Sequence, residues 1–382
     1  MLYYNIRGLV RIRSEVPLRE LEKFREHVSG RADLVVSCKS GLNYLPRLSR
    51  KIHRGNPTLS YIEHLGSLGA TVSISSRESM EVEVNWLLKY SNAVLYVNVV
   101  EPLLRLLIAR KGLALVHSAC LSRKDKAVLV SAPPDTGKTT TVLKCLHKGW
   151  FSFLSDDMTI LGLDGSVSTF PKPFTISAHT YSSTVDRRSN KKGIRSKLTL
   201  RIKSYVHSKT GRTVLRLIGR LNVPILTLNA LGQIMVKPPK IFVEDLVRGV
   251  ITKPTAQAAA VCLLRKGPDR IETADPNEVL EELLANSEEA FGFPPYSDIF
   301  RNLDVMGMKA SDLLREERRL LESLVRSVRC YRLYSDTRRW DELLTQVMDE
   351  IARPIPTPRL AEVEPITRNI GPLPTEPLLR QP

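Results

Sequence analysis

The stretch Ala127-Val-Leu-Val-Ser-Ala-Pro-Pro-Asp-Thr-Gly-Lys-Thr-Thr-Thr141 decides how the rest of the chain is read. Ala127 to Val130 is an apolar run of strand length. Small residues and two prolines follow. Gly137-Lys138-Thr139 then opens a helical segment that runs toward Gly149. Strand, glycine-bearing loop and helix in this order make a Walker A phosphate loop. Ala132 stands where the first glycine of that pattern is usual, a mild exchange because a methyl group disfavours only φ > 0. Free backbone N–H groups at a helix start face dense negative charge, and the helix dipole adds to the attraction. Ala132, Pro133, Pro134, Asp135, Thr136, Gly137, Lys138, Thr139 and Thr140 are therefore expected to enclose the phosphates of ATP. Lys138 would reach the β- and γ-phosphates and the Thr139 hydroxyl would ligate Mg²⁺. A chance match is the rival explanation, and the flanking strand and helix make it the weaker one.

Downstream, Thr140 to Lys148 is the phosphate-bearing helix, closed by Gly149. Phe151 to Leu154 is the next strand and leads into Ser155-Asp156-Asp157. Lys138 and Asp156 lie 18 residues apart, an interval filled by one helix and one strand. That places the carboxylates at a strand end beside the phosphate loop, where phosphoryl-transfer enzymes hold Mg²⁺ or accept a proton. Adjacent residues at a strand end point different ways, so one aspartate can face a metal and the other a substrate. Crowded anions also raise one pKa, which suits a base. A solvated Asp-Asp turn is the plain alternative. Upstream, Leu113 to Leu121 reads as a strand carrying His117. A packed histidine is the ordinary reading there, but neighbouring strand ends converge on a phosphate site.

Leu115-Val-His117-Ser-Ala, then the phosphate loop, then Ser155-Asp-Asp157 resemble the catalytic core of the HPr kinase/phosphorylase family, a core related to PEP carboxykinase. The resemblance covers about residues 93–180, with a weaker one at Gly8 to Leu18. It implies an α/β (α+β) fold: a mixed-sheet P-loop domain preceded by a smaller, mostly-β region. It also implies roles. Lys138 and Thr139 would bind phosphate and Mg²⁺, Asp156 would take the proton of a hydroxyl acceptor, Asp157 would help hold Mg²⁺, and His117 would lie near the transferred group. The prolines replace the family's usual Gly-x-Ser-Gly-x-Gly-Lys-Ser arrangement. The later glycine-rich segment tied to phosphorolysis is not found, so kinase chemistry carries over more safely. No second constellation of Lys and His suggests PEP carboxykinase activity. Relatives phosphorylate various hydroxyls, so a protein, peptide or small-molecule acceptor stays open. The family also suggests a homo-oligomer.

The remaining chain frames this core. Its 382 residues and net charge of +17 suit two or three domains with acidic partners. Five scattered cysteines without a CxxC pair, and no signal peptide, fit a reducing cytoplasm. No apolar run is read as a membrane span, because Glu101, Arg105, Arg110 and Lys111 interrupt 93–121. Residues 1–92 form a mostly-β region with strands at Leu9–Arg13, Leu34–Ser37, Ala70–Ile74 and Met80–Val84, and a short helix at Pro17–His27. Residues 93–305 form the P-loop domain, beginning with an apolar helix over 95–112. Within it Lys172 and His179 could border the site, strands are expected at Pro224–Leu228 and Gln233–Val236, and a rigid turn at Lys237–Lys240. Residues 290–296 make an aromatic plug. Residues 306–352 are helix-rich, with a strand near Cys330–Tyr334, and 353–382 read as a disordered proline-rich tail. Residues 187–220 carry twelve Lys or Arg and no Asp or Glu. Capture of an acidic acceptor, contact with a nucleic-acid backbone and a solvated loop all fit that run. Besides a kinase, the sequence therefore admits a nucleotide-binding regulator or RNA-associated protein and a plain P-loop ATPase.

Overall fold

The computed structural model describes residues 1–27, 30–39, 49–54, 58–65, 68–134, 136–175, 224–235, 240–291, 295–299 and 303–353. The fold is mixed α/β, built on two large mixed sheets. The first has eight strands from residues 2–84. Its strands alternate between faces, as Val10–Ser14 does with Val10, Ile12 and Ser14 inward and Arg11 and Arg13 outward. Leu34–Cys38 is the hinge of this sheet, pairing in parallel with both Val10–Ser14 and Met80–Val84.

The second sheet carries the phosphate loop. Its long central strand, Thr255–Arg265, pairs in parallel with Lys126–Ser131 on one side and with Arg329–Tyr334 on the other. Residues 127–130 and the middle of Thr255–Arg265 are apolar and buried, because helices cover both faces. Lys138–His147 and Trp340–Ala352 pack on one face, Pro276–Phe291 and Ala310–Ser327 on the other. The strand Arg329–Tyr334 thus makes the helix-rich part at 306–352 an integral piece of this sheet.

Between the sheets runs the helical stretch 92–110, touching Val10–Ser14 and Ala114–Val116. It opens out into a π turn at Tyr96–Val100, just before Pro102, whose missing N–H removes one α-type bond. By length and composition this stretch is apolar enough to cross a bilayer, contrary to the sequence reading, but 89% of it is buried inside the protein. Two of the four charged residues counted as interruptions are absorbed there: Glu101 pairs with Lys172, and Arg105 with Glu317.

Other expectations are corrected. The two strands expected at Pro224–Leu228 and Gln233–Val236 are one helix, Ile225–Met235. Short apolar runs do not separate strand from helix by period alone. The helix start is also capped from far away, by Glu63 accepting the N–H groups of Leu226 and Thr227. Pro17–His27 is a 3-10 segment, Arg19–Phe24, followed by a short strand on Tyr3 and Tyr4. Leu113–Leu121 is two strands, Ala114–Val116 and Ala119–Arg123, in different parts of the sheet. The aromatic plug holds at its ends, with Phe291 and Tyr296 buried and 5.9 Å apart. The basic run 187–220, His179, the turn at 237–239 and the tail from 354 lie outside the described residues. All five cysteines are free thiols.

Candidate functional site

Lys126–Ser131 delivers the phosphate loop at the carboxyl end of its strand, between two neighbours that fix its height. Ala132 and Thr136 are buried, while Pro133, Pro134 and Thr140 are half-buried; Asp135 lies outside the described residues. Gly137 has φ +123°, which a side chain rarely adopts, so glycine is required here. Helix Lys138–His147 starts directly after it, and among the described residues no N-cap side chain bonds its first N–H groups, since the N-cap is Gly137. Those groups are the donors an anion would take. The Thr141 hydroxyl instead turns back to the Gly137 carbonyl at 3.0 Å.

The break between strands at His117-Ser118 aims the imidazole into this end of the sheet. Its Nε2 lies 3.3 Å from Lys138 Nζ and its Nδ1 3.3 Å from Asp157 Oδ1. Lys138 Nζ is 3.8 Å from the same Asp157 oxygen. The other Asp157 oxygen takes Lys172 Nζ at 2.7 Å, and Lys172 also reaches Glu101 Oε1 at 2.5 Å. Lys172 stands 5.5 Å over the Tyr96 ring. The structure thus brings His117, Lys138, Asp157 and Lys172 together. Glu101 was not foreseen. It comes from the apolar helix, and its one sequence signal is a carboxylate inside an otherwise apolar run.

The two aspartates differ sharply. Burial would push the Asp157 carboxyl up, but Lys172, His117 and Lys138 together hold it well below the usual carboxylate range. Asp156 is 7% exposed. Burial raises its carboxyl to about 7, against a counter-pull from Lys138. Its Oδ2 accepts the Thr139 hydroxyl at 3.0 Å. Its Oδ1 is buried with no hydrogen-bond partner among the described residues. The hydroxyl expected on Mg²⁺ thus sits on Asp156, not on Asp157.

The residues present fit ATP and Mg²⁺. Thr139 and the aspartates are hard oxygen donors, and Mg²⁺ is ordinarily held by one or two carboxylates together with substrate phosphates. Among the described residues no group of three or more His, Cys, Asp and Glu forms a self-sufficient metal cage. The uncapped helix start and Lys138 supply the positive end a polyphosphate needs. No family model and no curated protein matches this chain.

Proposed function

We propose that this protein is an ATP- and Mg²⁺-dependent kinase that transfers the γ-phosphoryl group to a hydroxyl acceptor. The observation that carries the reading is Asp156: a buried carboxyl at a phosphate loop, with one oxygen on Thr139 and the other open. A carboxyl poised near 7 is matched to taking a proton at neutral pH. Asp156 Oδ1 would accept the proton of the acceptor hydroxyl as the new phosphate ester bond forms and the bond from the γ-phosphorus to the β-phosphate oxygen breaks, releasing ADP. Lys138 would leave Asp157 for the nucleotide and stabilise the β- and γ-phosphates. The N–H groups that open helix Lys138–His147 would hold the phosphates in line. Asp157 stays ionised through Lys172, which in turn is fixed by Glu101. His117 lies close enough to Lys138 to reach the transferred group. Mg²⁺, when bound through Thr139 and Asp157, would neutralise charge developing on the phosphates.

The resemblance to HPr-kinase-like cores supports the same reading, as does the burial that keeps water from Asp156. The test is an acceptor screen with γ-labelled ATP, Mg²⁺ and fractionated cell extract, beside Lys138→Ala and Asp156→Asn. Label should move to a discrete protein or small molecule and be lost in both variants. Free phosphate release that Asp156→Asn leaves unchanged would instead identify an ATPase. Nucleotide binding with no label transfer would identify a regulator.

A further inference from the structure

We infer that Trp340 is a positioning residue for nucleotide binding, the rigid back wall on which the phosphate loop rests. The inference depends on the loop binding a nucleoside polyphosphate, as proposed above.

Gly137 has no side chain, and a Cβ there would be crowded. Trp340 Cζ3 lies 3.2 Å from where that Cβ would stand. A ring of this size at this distance blocks the loop from sinking toward the sheet. The indole is itself locked. It is 1% exposed, and its Nε1 donates to the carbonyls of Arg265 at 3.1 Å and Leu333 at 3.0 Å. Those carbonyls end the two parallel strands Thr255–Arg265 and Arg329–Tyr334, so the ring is referenced to the sheet and not to a loop. Further ties bind the same region to the phosphate helix. Asp341 takes Lys148 at 2.6 Å and Lys144 at 3.6 Å, and Lys144 donates to the Arg338 carbonyl at 2.8 Å.

The phosphate loop therefore has two kinds of support. Its strand holds it from the N-terminal side, and Trp340 holds the glycine from behind. A loop fixed in its bound shape spends less of its binding energy on ordering. Without the indole, Gly137 gains room to collapse, and the N–H groups at the helix start lose their common aim.

The experiment uses the full chain and MgADP binding by calorimetry, a readout independent of turnover. Trp340→Leu should raise the MgADP dissociation constant by about tenfold or more. Leu344→Ala is the control, since Leu344 is fully buried in the same core on the same helix and its loss destabilises while leaving the indole against Gly137 in place. It should leave the dissociation constant within about twofold. A spectroscopic arm covers the case in which Trp340→Leu fails to fold. The chain has three tryptophans, and Trp86 and Trp150 are exposed at 42% and 53%. With both changed to Phe, Trp340 is the sole tryptophan, and its fluorescence, excited at the red edge where tyrosine does not absorb, should change saturably with MgADP and stay flat in Lys138→Ala. Equal losses of affinity in Trp340→Leu and Leu344→Ala overturn the inference, as does flat Trp340 emission in a chain that calorimetry finds binding MgADP. In either case the nucleotide reading stands. No MgADP binding by the unaltered protein overturns both.

Discussion

Two buried ion clusters hang on consecutive turns of helix Glu101–Arg110, and they are built to opposite ends. At Arg105 the guanidinium meets both oxygens of Glu317, at 2.7–3.1 Å, with Tyr296 at 3.3 Å, Glu288 at 3.4 Å and the Phe291 ring beneath. Both Arg105 and Glu317 are at most 2% exposed. Each nitrogen of the guanidinium has an acceptor, and the cluster is closed. At Glu101 the chain of charges runs outward through Lys172 and Asp157 to Lys138 and His117, and ends beside Asp156 with an oxygen unmatched. The closed cluster fixes two helices against each other. The open one retains an acceptor and cations that can change partners, which is what a reacting site needs. Buried charge in a fold is therefore not one phenomenon: full satisfaction makes a clamp, and an unmatched oxygen leaves an acceptor for a ligand.

The contrast can be broken by substitution. Asp156→Asn should lower the rate of phosphoryl transfer by roughly 10²–10⁴-fold while nucleotide binding persists, since a general base is worth about that much. Single-turnover label transfer is the measurement. If Asp157→Asn abolishes transfer and Asp156→Asn is silent, the roles assigned to the pair are reversed. In the closed cluster Glu317→Ala should cost about 3–5 kcal/mol, because it strands a buried guanidinium. Urea unfolding reads this, and a loss under about 1 kcal/mol would mean the cluster is solvated.

A third test uses pH. The Asp156 pKa is raised in the folded protein, to about 7. The folded state thus holds this proton more tightly than the unfolded chain does. Its contribution is fully present below about pH 4, where an unfolded aspartate also binds its proton, and is lost as pH rises through 7. Without nucleotide or Mg²⁺, the stability of the unaltered protein relative to Asp156→Asn should fall between pH 4 and 7 and level off above. A flat difference would remove the buried-carboxyl argument. The smallest effect belongs to an exposed pair: Glu244→Gln, which frees Lys23 from a 3.0 Å bridge with side chains 40% and 43% exposed, should change stability by about 1 kcal/mol or less.

How much of this was legible follows distance along the chain. The phosphate loop and its flanking strand and helix are local, and Lys126–Ser131 and Lys138–His147 fall where the pattern put them. Asp156 and Asp157 were legible for the same reason, since one helix and one strand separate them from Lys138. What pattern could not supply is whatever arrives from afar. Glu101 reaches the site through Lys172, and Glu63 caps a helix from another sheet. The pairing of Thr139 with Asp156 depends on the angle at which Ser152–Ser155 meets the loop. No spacing rule contains that angle, so which aspartate stands on the threonine had to be seen.

The register Val128↔Ala260 has a kinetic meaning. During synthesis the strand that carries the phosphate loop waits with one edge bare until the chain near residue 265 has been made. At about 5–20 residues per second that wait is on the order of ten seconds. Arg329–Tyr334 and Trp340 come later still. Contacts this distant are slow to form because the intervening loop must close first. The nascent protein thus completes its sheet only once the chain through Tyr334 has been made.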